Sequence, residues 1–297
     1  MRIGVDLGGT NIRVGQVSRN GKIIRKISAP SPSRQGLEES LKYLKKVIDQ
    51  CITPDCKSIG IGVPSVLDAE KGIVYNVTNI PSWIEVPLKD VLEVHYNLPV
   101  YINNDSNCFT LGENRFGEGQ PYNNMIGITL GTGVGAGVII NNELYGGSNT
   151  GAGEIGCIPY LDATYEDYCG SNFFATHHQI TGAEAAERAL ANDPVALQIW
   201  KEYGTHLGNL IQATLFVYDP DAIVFGGGIT GAYSFFRSSM KEALQSFPYP
   251  QSLKNLELKI SVNPEIAILG AAALGLNRSI QKQSTNDLFS IDYEKTS

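Results

Sequence analysis

The feature that most constrains this chain is an internal repeat. Residues 3–8, Ile-Gly-Val-Asp-Leu-Gly, and residues 126–131, Ile-Gly-Ile-Thr-Leu-Gly, match at an offset of 123. Each copy alternates apolar residues at strand spacing (Ile3, Val5, Leu7; Ile126, Ile128, Leu130), enters a Gly/Thr turn and resumes as a second apolar strand. The first copy continues from Ile12 to Val17, reaches Asn20-Gly21, a type I′ hairpin signal, and runs on from Lys22 to Ile27. The second continues from Val134 to Ile140, then Asn141-Asn142, then Glu143 to Tyr145. A three-strand meander with a glycine-rich first turn therefore occurs twice, and a duplicated chain with a cleft between its halves is expected.

Helical patterns follow each meander. Leu37, Leu41, Leu44 and Ile48 share one helical face and Lys42, Lys45 and Lys46 lie off it. A buried strand from Ser58 to Val63 stops at Pro64, and another from Pro99 to Ile102 ends in Asn103-Asn104-Asp105 before a helix from about Ser106 to Arg115. In the second half, helices are expected from Gly182 to Ala191, from Asp193-Pro194 to Phe216, from Tyr233 to Leu244 and, in small residues suited to close packing, from Gly270 to Leu276. The strand from Ala222 to Phe225 meets Gly226-Gly227-Gly228, and a polar tail starts at Gln283. A boundary at Gly117-Glu118-Gly119-Gln120-Pro121 divides a smaller N-terminal lobe, residues 1–117, from a larger C-terminal lobe, residues 118–297.

Composition narrows the class of function. Glycine makes up 32 of 297 residues, in clusters without a Gly-X-Y period, so the surplus belongs to specific turns. The net charge of −7, with no basic run, argues against a nucleic-acid or anionic-membrane surface. No signal peptide and no long apolar span are visible, and five scattered cysteines, an odd number, suit reduced thiols, so a cytoplasmic location is expected.

Three glycine clusters follow strands: Gly8-Gly9-Thr10-Asn11, Gly131-Thr132-Gly133 and Gly226-Gly227-Gly228. Glycine lets backbone N–H groups turn toward an anion, and threonine adds a hydroxyl, so phosphate is the expected guest. The alternative is tight turns without ligands. Residues 131–136 fit G-x-G-x-x-A, but a strand follows where a dinucleotide fingerprint needs a helix, and no P-loop motif is present. Asp6, beside the first turn, could face phosphate through Mg²⁺, directly or through water, or satisfy donors of its own turn. Arg13 could offset phosphate charge or stand exposed on its strand. Asp105 ends a strand and opens a helix, so it could take a hydroxyl proton in phosphoryl transfer or act as a helix N-cap. Asn104 and Asn79 supply amides of the kind that orient sugar hydroxyls, or serve as turn residues.

Residues 6–11 (Asp-Leu-Gly-Gly-Thr-Asn), Asn104-Asp105, residues 130–135 (Leu-Gly-Thr-Gly-Val-Gly), residues 153–156 (Gly-Glu-Ile-Gly) and residues 225–228 (Phe-Gly-Gly-Gly) together resemble the ROK (repressor, open reading frame, kinase) sugar kinases over about residues 1–280. The resemblance implies an α/β, actin-like ATPase fold (a duplicated ribonuclease H-like unit) of two lobes, with ATP and a hexose in a central cleft, and a homodimer. It places the catalytic base on Asp105 and sugar contacts on Asn79, Asn104 and Glu154. It places phosphate loops on Gly8, Gly9, Thr10 and on Gly131, Thr132, Gly133, and adenosine-side glycines on Gly226, Gly227 and Gly228. The family's repressors carry an added N-terminal helix-turn-helix module, for which this chain is expected to have no room.

The departures concern one region. Most members read Gly-Glu-Ile-Gly-His and then a cysteine cluster that binds structural zinc, followed by a sugar-contacting Glu. Here Cys157 stands for the His and Cys169 is the one cysteine kept. Structural zinc is not expected: Zn²⁺ wants four ligands, and a loop packed by Phe173 and Phe174 is favoured over a substitute site of Cys157, Cys169 and His177 or His178. Asn172 or His177 is the candidate for the missing sugar contact. Ser65 and Ser82 stand where members commonly have Gly, lining the presumed sugar pocket. The expectation is ATP- and Mg²⁺-dependent phosphorylation of a hexose at its 6-hydroxyl, the sugar's identity open; the alternative is a sugar sensor without turnover.

Overall fold

A computed structural model describes residues 1–276 apart from Arg34 and Thr78; the polar tail from Gln283 lies outside the described residues. Contacts divide the chain into two units, Met1–Cys108 with the chain from Ala267 on, and Phe109–Ile266.

The first unit is built on β1 (Arg2–Leu7), β2 (Asn11–Val17), β3 (Ile23–Pro30), β4 (Ile59–Val63), a small sheet of β5 (Val66–Asp68), β6 (Ile73–Tyr75) and β7 (Glu85–Val86), and β8 (Val100–Asn104), with helices α1 (Leu37–Ile48) and α2 (Leu88–Tyr96) and the start of α3 (Asp105–Phe116). The main sheet runs β3-β2-β1-β4-β8. The meander is antiparallel, and β4 and β8 then add parallel to β1. Ile3, Val5, Ile59 and Ile61 are fully buried, as a central strand covered on both faces requires. The face of α1 that packs is Ser40, Leu44, Val47 and Ile48, while Leu37 stays exposed. Ser40 is buried because its hydroxyl accepts the indole N–H of buried Trp83 at 2.7 Å.

The helix over residues 266–276 returns to this first unit rather than to the second half to which sequence order assigns it. Its backbone lies directly on β1 and β4. A Cβ built on Gly4 would fall 2.0 Å from the Ile268 carbonyl oxygen, and one on Gly60 1.8 Å from that of Ala271. Only glycine admits that approach, and the small-residue run at 270–276 is its other half.

The second unit contains β9 (Met125–Leu130), β10 (Val134–Ile140), β11 (Glu143–Leu144), the short pair β12 (Pro159–Tyr160) and β13 (Ala163–Thr164), then α4 (Tyr165–Cys169), α5 (Asn172–His178), α6 (Gly182–Leu190), α7 (Pro194–Tyr218), β14 (Ala222–Gly226), α8 (Tyr233–Leu244), α9 (Pro250–Asn255) and β15 (Glu257–Ile260). Its sheet runs β11-β10-β9-β14-β15. The antiparallel meander with two added parallel strands thus recurs, as the sequence repeat implies. Asp193 caps α7 by accepting the amides of Val195 and Ala196 at 2.8 and 3.4 Å, and Pro194 fills the first helical position.

The two hairpins close differently. Asn141 and Asn142 both take positive φ, +53° and +62°, between paired Ile140 and Glu143, which makes the type I′ turn. Asn20-Gly21 does not form one. Gly21 alone has positive φ, +77°, its amide donates to the Ser18 carbonyl at 3.1 Å, and the Ser18 hydroxyl oxygen accepts the Lys22 amide at 3.0 Å. That extra acceptor at Ser18 favours a turn closed by a glycine bulge over the two-residue turn.

Candidate active site

In the first unit, β8 ends at Asn104 and α3 begins at Asp105. The Ser106 amide is shared between Asn104 Oδ1 and Asp105 Oδ1, each at 2.8 Å. The capping interaction is thus made by Asn104 as well, and its amide oxygen is spent on the helix. Asn103, which the sequence reading passes over, accepts the Asn104 amide at 2.8 Å and the Asn107 side-chain N–H at 2.9 Å, fixing the strand-to-helix corner. Asp105 is half-buried. Burial pushes its carboxyl up to about 6; the Ser106 amide pulls the other way, and the neighbouring Asp6 charge adds to the rise.

Asp6 pairs across β1 and β2 with Arg13, whose Nε donates to Asp6 Oδ2 at 2.8 Å and whose Nη2 donates to the same oxygen at 2.5 Å. Arg13 therefore balances Asp6. The turn that follows is closed by the Gly8 amide on the Asn11 carbonyl at 2.9 Å. Asn79 packs on it: a Cβ on Gly9 would lie 2.5 Å from Asn79 Nδ2. The loop carrying Asn79 is anchored by Trp83, which donates to Ile80 O and accepts from Val77, and is itself buried. The structure thus gathers Asp6, Arg13, Gly8, Gly9, Asn79 and Asp105 at one edge of the first sheet, with Asn104 next to Asp105. Thr10 and Asn11 are exposed at the turn. Ser65 donates its hydroxyl to the Tyr75 carbonyl, and Ser82 donates to that of Gln35 at 2.9 Å, so both hydroxyls support loops.

The second glycine turn is one residue shorter, the Gly131 amide donating to Gly133 O at 3.0 Å. Among the described residues, the amides of Thr132 and Gly133 have no acceptor, and neither do those of Gly9 and Thr10. Each turn therefore keeps a pair of adjacent donors, the arrangement that suits a phosphate oxygen. Of the third cluster, Gly226 faces the Phe109 ring and Gly227, at φ +91°, faces the Leu130 carbonyl, so both are required by packing; at Gly228 a Cβ would meet nothing within 4 Å.

Glu154 is exposed, and the Cys157 thiol lies 3.9 Å from its Oε2. Cys157 is at the surface while Cys169 is fully buried, and among the described residues no three His, Cys, Asp or Glu groups gather to hold a metal ion. Phe173 and Phe174 are fully buried and Phe173 contacts Tyr203, His178 and His206, so an aromatic cluster packs this segment. His177 stacks on Tyr168, Asn172 is exposed, and His206 meets the Tyr160 hydroxyl at 3.1 Å. Burial lowers the His206 pKa against the opposing pull of Glu202. One residue near a glycine turn gave no signal in the sequence: Glu166, whose Oε2 accepts the Val134 amide at 2.9 Å.

Two meanders of the same strand order, each opening on a glycine turn, define the actin-like ATPase fold. Within it, the chain belongs to the ROK family, which it matches over residues 2–278. A glucokinase from Thermotoga maritima is 29% identical over 304 residues, covering 92% of this chain and 96% of its own. A xylose repressor from Caldicellulosiruptor bescii is 26% identical over 315 residues, covering 92% of this chain and 77% of its own. The crystal structure of a ROK family glucokinase from Streptomyces griseus in complex with glucose and AMPPNP superposes with a TM-score of 0.78 at 26% identity, covering 92% of this chain and 98% of that one. No helix among the described residues is long and apolar enough to cross a membrane.

Proposed function

We propose that this chain is an ATP-dependent kinase that phosphorylates a hexose at its 6-hydroxyl. The observation that carries the reading is Asp105: a carboxylate at a strand end, beside Asp6 and the first glycine turn, whose pKa of about 6 leaves it ionised at neutral pH yet basic enough to accept a proton. Glucokinases among the relatives support the hexose and the nucleotide.

In this reading Asn79, Asn104 and Glu154 orient sugar hydroxyls, and Asp105 takes the proton of the attacking hydroxyl as its oxygen bonds to the γ-phosphorus and ADP leaves. The paired amides at Gly9-Thr10 and Thr132-Gly133 hold phosphate oxygens, and Gly226 to Gly228 serve the adenosine side. Mg²⁺ suits the donor set through water on Asp6, because one carboxylate oxygen of Asp6 is already engaged by Arg13. When bound, the ion neutralises phosphate charge. We place the enzyme in the cytoplasm as a homodimer, which light scattering would check.

The test is ADP release with Mg²⁺, ATP and a panel of glucose, fructose, mannose, allose and N-acetylated hexosamines. Turnover with at least one sugar is expected. The xylose repressor among the relatives motivates the second reading, a sensor. Calorimetric sugar binding without ADP release from any sugar would establish that reading and overturn the kinase.

A further inference from the structure

We propose that Ser40 is a positioning residue for the sugar side of the reaction: through Trp83 it fixes the loop from Asn76 to Ile84 so that Asn79 stays over the first glycine turn. The inference deepens the kinase reading, on which the role of Asn79 rests. The geometry lies within the first unit and is independent of that reading.

The loop closes on itself. The Asn76 amide donates to Ile84 O at 2.8 Å and the Val77 amide to Trp83 O at 3.0 Å. Inside that pair, the Ile80 and Trp83 amides donate to Val77 O and Ile80 O at 2.9 and 2.8 Å. Val77, Ile80 and Trp83 bury their side chains, whereas Asn79 is exposed and packs on the turn, where a Cβ on Gly9 would lie 2.7 Å from its Cγ. Asn79 is thus carried by a frame whose largest buried piece is the Trp83 indole, and a shift of that ring moves Asn79 with it.

Nothing within α1 asks for serine at position 40. The site is fully buried beside Leu44, Val47 and Ile48, and alanine is the better helix former. The Ser40 hydroxyl donates to Leu37 O at 2.8 Å, one turn back, and so spends its proton inside the helix. Its oxygen is left to accept, and the Trp83 indole N–H donates to it at 2.7 Å. The indole has no other polar group, so without Ser40 a buried donor loses its partner. A parallel tie comes from Ser82, whose hydroxyl donates to Gln35 O at 2.9 Å. The same stretch also meets the turn, since the Ser31 amide donates to Thr10 O at 2.8 Å. Residues 31–40 therefore back the glycine turn at one end and the Asn79 loop at the other, and Asn79 against Gly9 completes the circuit.

Ser40→Ala removes the acceptor, and Trp83→Phe keeps a ring but removes the donor. Thermal melts first set a temperature at which wild type, both variants and the double variant are folded. Hydrogen exchange read by mass spectrometry then reports on the loop without any substrate. Ser40→Ala should speed exchange over residues 76–84 about 10-fold, the scale of one orphaned buried donor, and leave β1 within about 2-fold of wild type. In steady-state kinetics with ATP and glucose, or the sugar of the panel turned over fastest, KM for sugar should rise about 5- to 10-fold and KM for ATP change less than about 2-fold. The double variant should be no worse than the worse single variant, because both changes break one bond. Effects that multiply, loop exchange unchanged by Ser40→Ala, or equal rises in both KM values overturn the proposal. Failure of the kinase reading is read separately. Without turnover on any sugar, calorimetric binding of the panel sugar that wild type holds most tightly should weaken about 5-fold or more in Ser40→Ala. Unchanged binding there, or no binding of any panel sugar by wild type, overturns the proposal. If Ser40→Ala fails to fold, Ser82→Ala, which cuts the exposed parallel tie, carries the same comparison with an effect of about 2- to 3-fold.

Discussion

The two glycine turns descend from one hairpin pattern and are supported in opposite ways. The first, Gly8 to Asn11, sits among charges of its own hairpin and the adjoining strand: Asp6 and Arg13 face each other across β1 and β2, and Asp105 lies close by. From outside the meander it meets the Asn79 amide against Gly9 and the Ser31 amide, which donates to the Thr10 carbonyl at 2.8 Å. The second, Gly131 to Gly133, has no charged residue in its own strands, and takes its carboxylate from Glu166, 32 residues further on. Charged side chains gather round one copy, while the other is backed by packing from further along the chain. Next to the second turn, Tyr168, Phe173, Tyr203, His177 and His178 make a cluster of ring contacts.

The harshest way to break the contrast is to empty the cluster. Phe173 is fully buried and contacts Phe174, Tyr203 and three histidines. Phe173→Ala should cost about 3–5 kcal/mol of stability, the range for a buried aromatic truncated in a close-packed core. Denaturant unfolding measures the loss. At temperatures where the variant is folded, KM for ATP should suffer more than KM for sugar, because the second turn loses its backing. Equal damage to both would show that the cluster supports the whole unit without favouring the turn.

The first turn is broken by chemistry instead. Asp105→Ala and Asp105→Asn should lower kcat by at least ~100-fold while ADP binding stays nearly unchanged, the scale of losing a general base. Wild-type kcat/KM should rise with pH through about 6 and level off above it, as Asp105 becomes ionised. Variants that keep the rate, or a wild-type profile flat between pH 5 and 8, would remove Asp105 from the role.

The same carboxylate predicts a smaller effect on stability, with opposite sign. A folded-state pKa raised from 3.8 to about 6 means that the folded protein holds the proton more tightly than the unfolded chain. That stabilisation is complete below pH about 4 and is lost as pH rises through 6. Asp105→Asn, which needs no ionisation, should therefore be more stable than wild type at pH 8. The gain is on the order of 1–2 kcal/mol, discounted because the group keeps some solvent contact. It should shrink toward pH 4 in paired thermal melts.

What the sequence reveals follows from what is local. Strand alternation, the Asp193-Pro194 start of α7 and the repeated meander are written in neighbouring residues, and the helix from Tyr233 to Leu244 has the ends its pattern predicts. The neighbourhood of Asp6, Gly9 and Asp105 was legible because strand ends next to glycine turns are where such folds place polar groups. Three things were not legible. Helix 266–276 joins the first unit through Gly4 and Gly60, a contact across more than 200 residues that no window of sequence contains. Glu166 reads as one more acid in a helix start, since the amide that it meets is in another strand. The contacts of the Ser65 and Ser82 hydroxyls, to the Tyr75 and Gln35 carbonyls, lie 10 and 47 residues away along the chain.

The smallest prediction concerns the distal hairpins, where the copies differ by backbone sign at one residue. Gly21 has φ +77° and Asn20 does not share it, whereas Asn141 and Asn142 are both left-handed. A Cβ in the left-handed region costs roughly 1–2 kcal/mol for an ordinary residue and less for asparagine, whose short polar side chain bonds locally. Gly21→Ala should therefore lower stability by about 1 kcal/mol. Asn141→Gly, which trades a tolerated side chain for a freer unfolded chain, should stay within about 0.5 kcal/mol of wild type. Paired denaturant titrations separate the two. If Asn20→Gly also stabilised the first hairpin, that hairpin would be taking the type I′ form, with Asn20 left-handed, and the bulge held by Ser18 would be the weaker of two turns open to it.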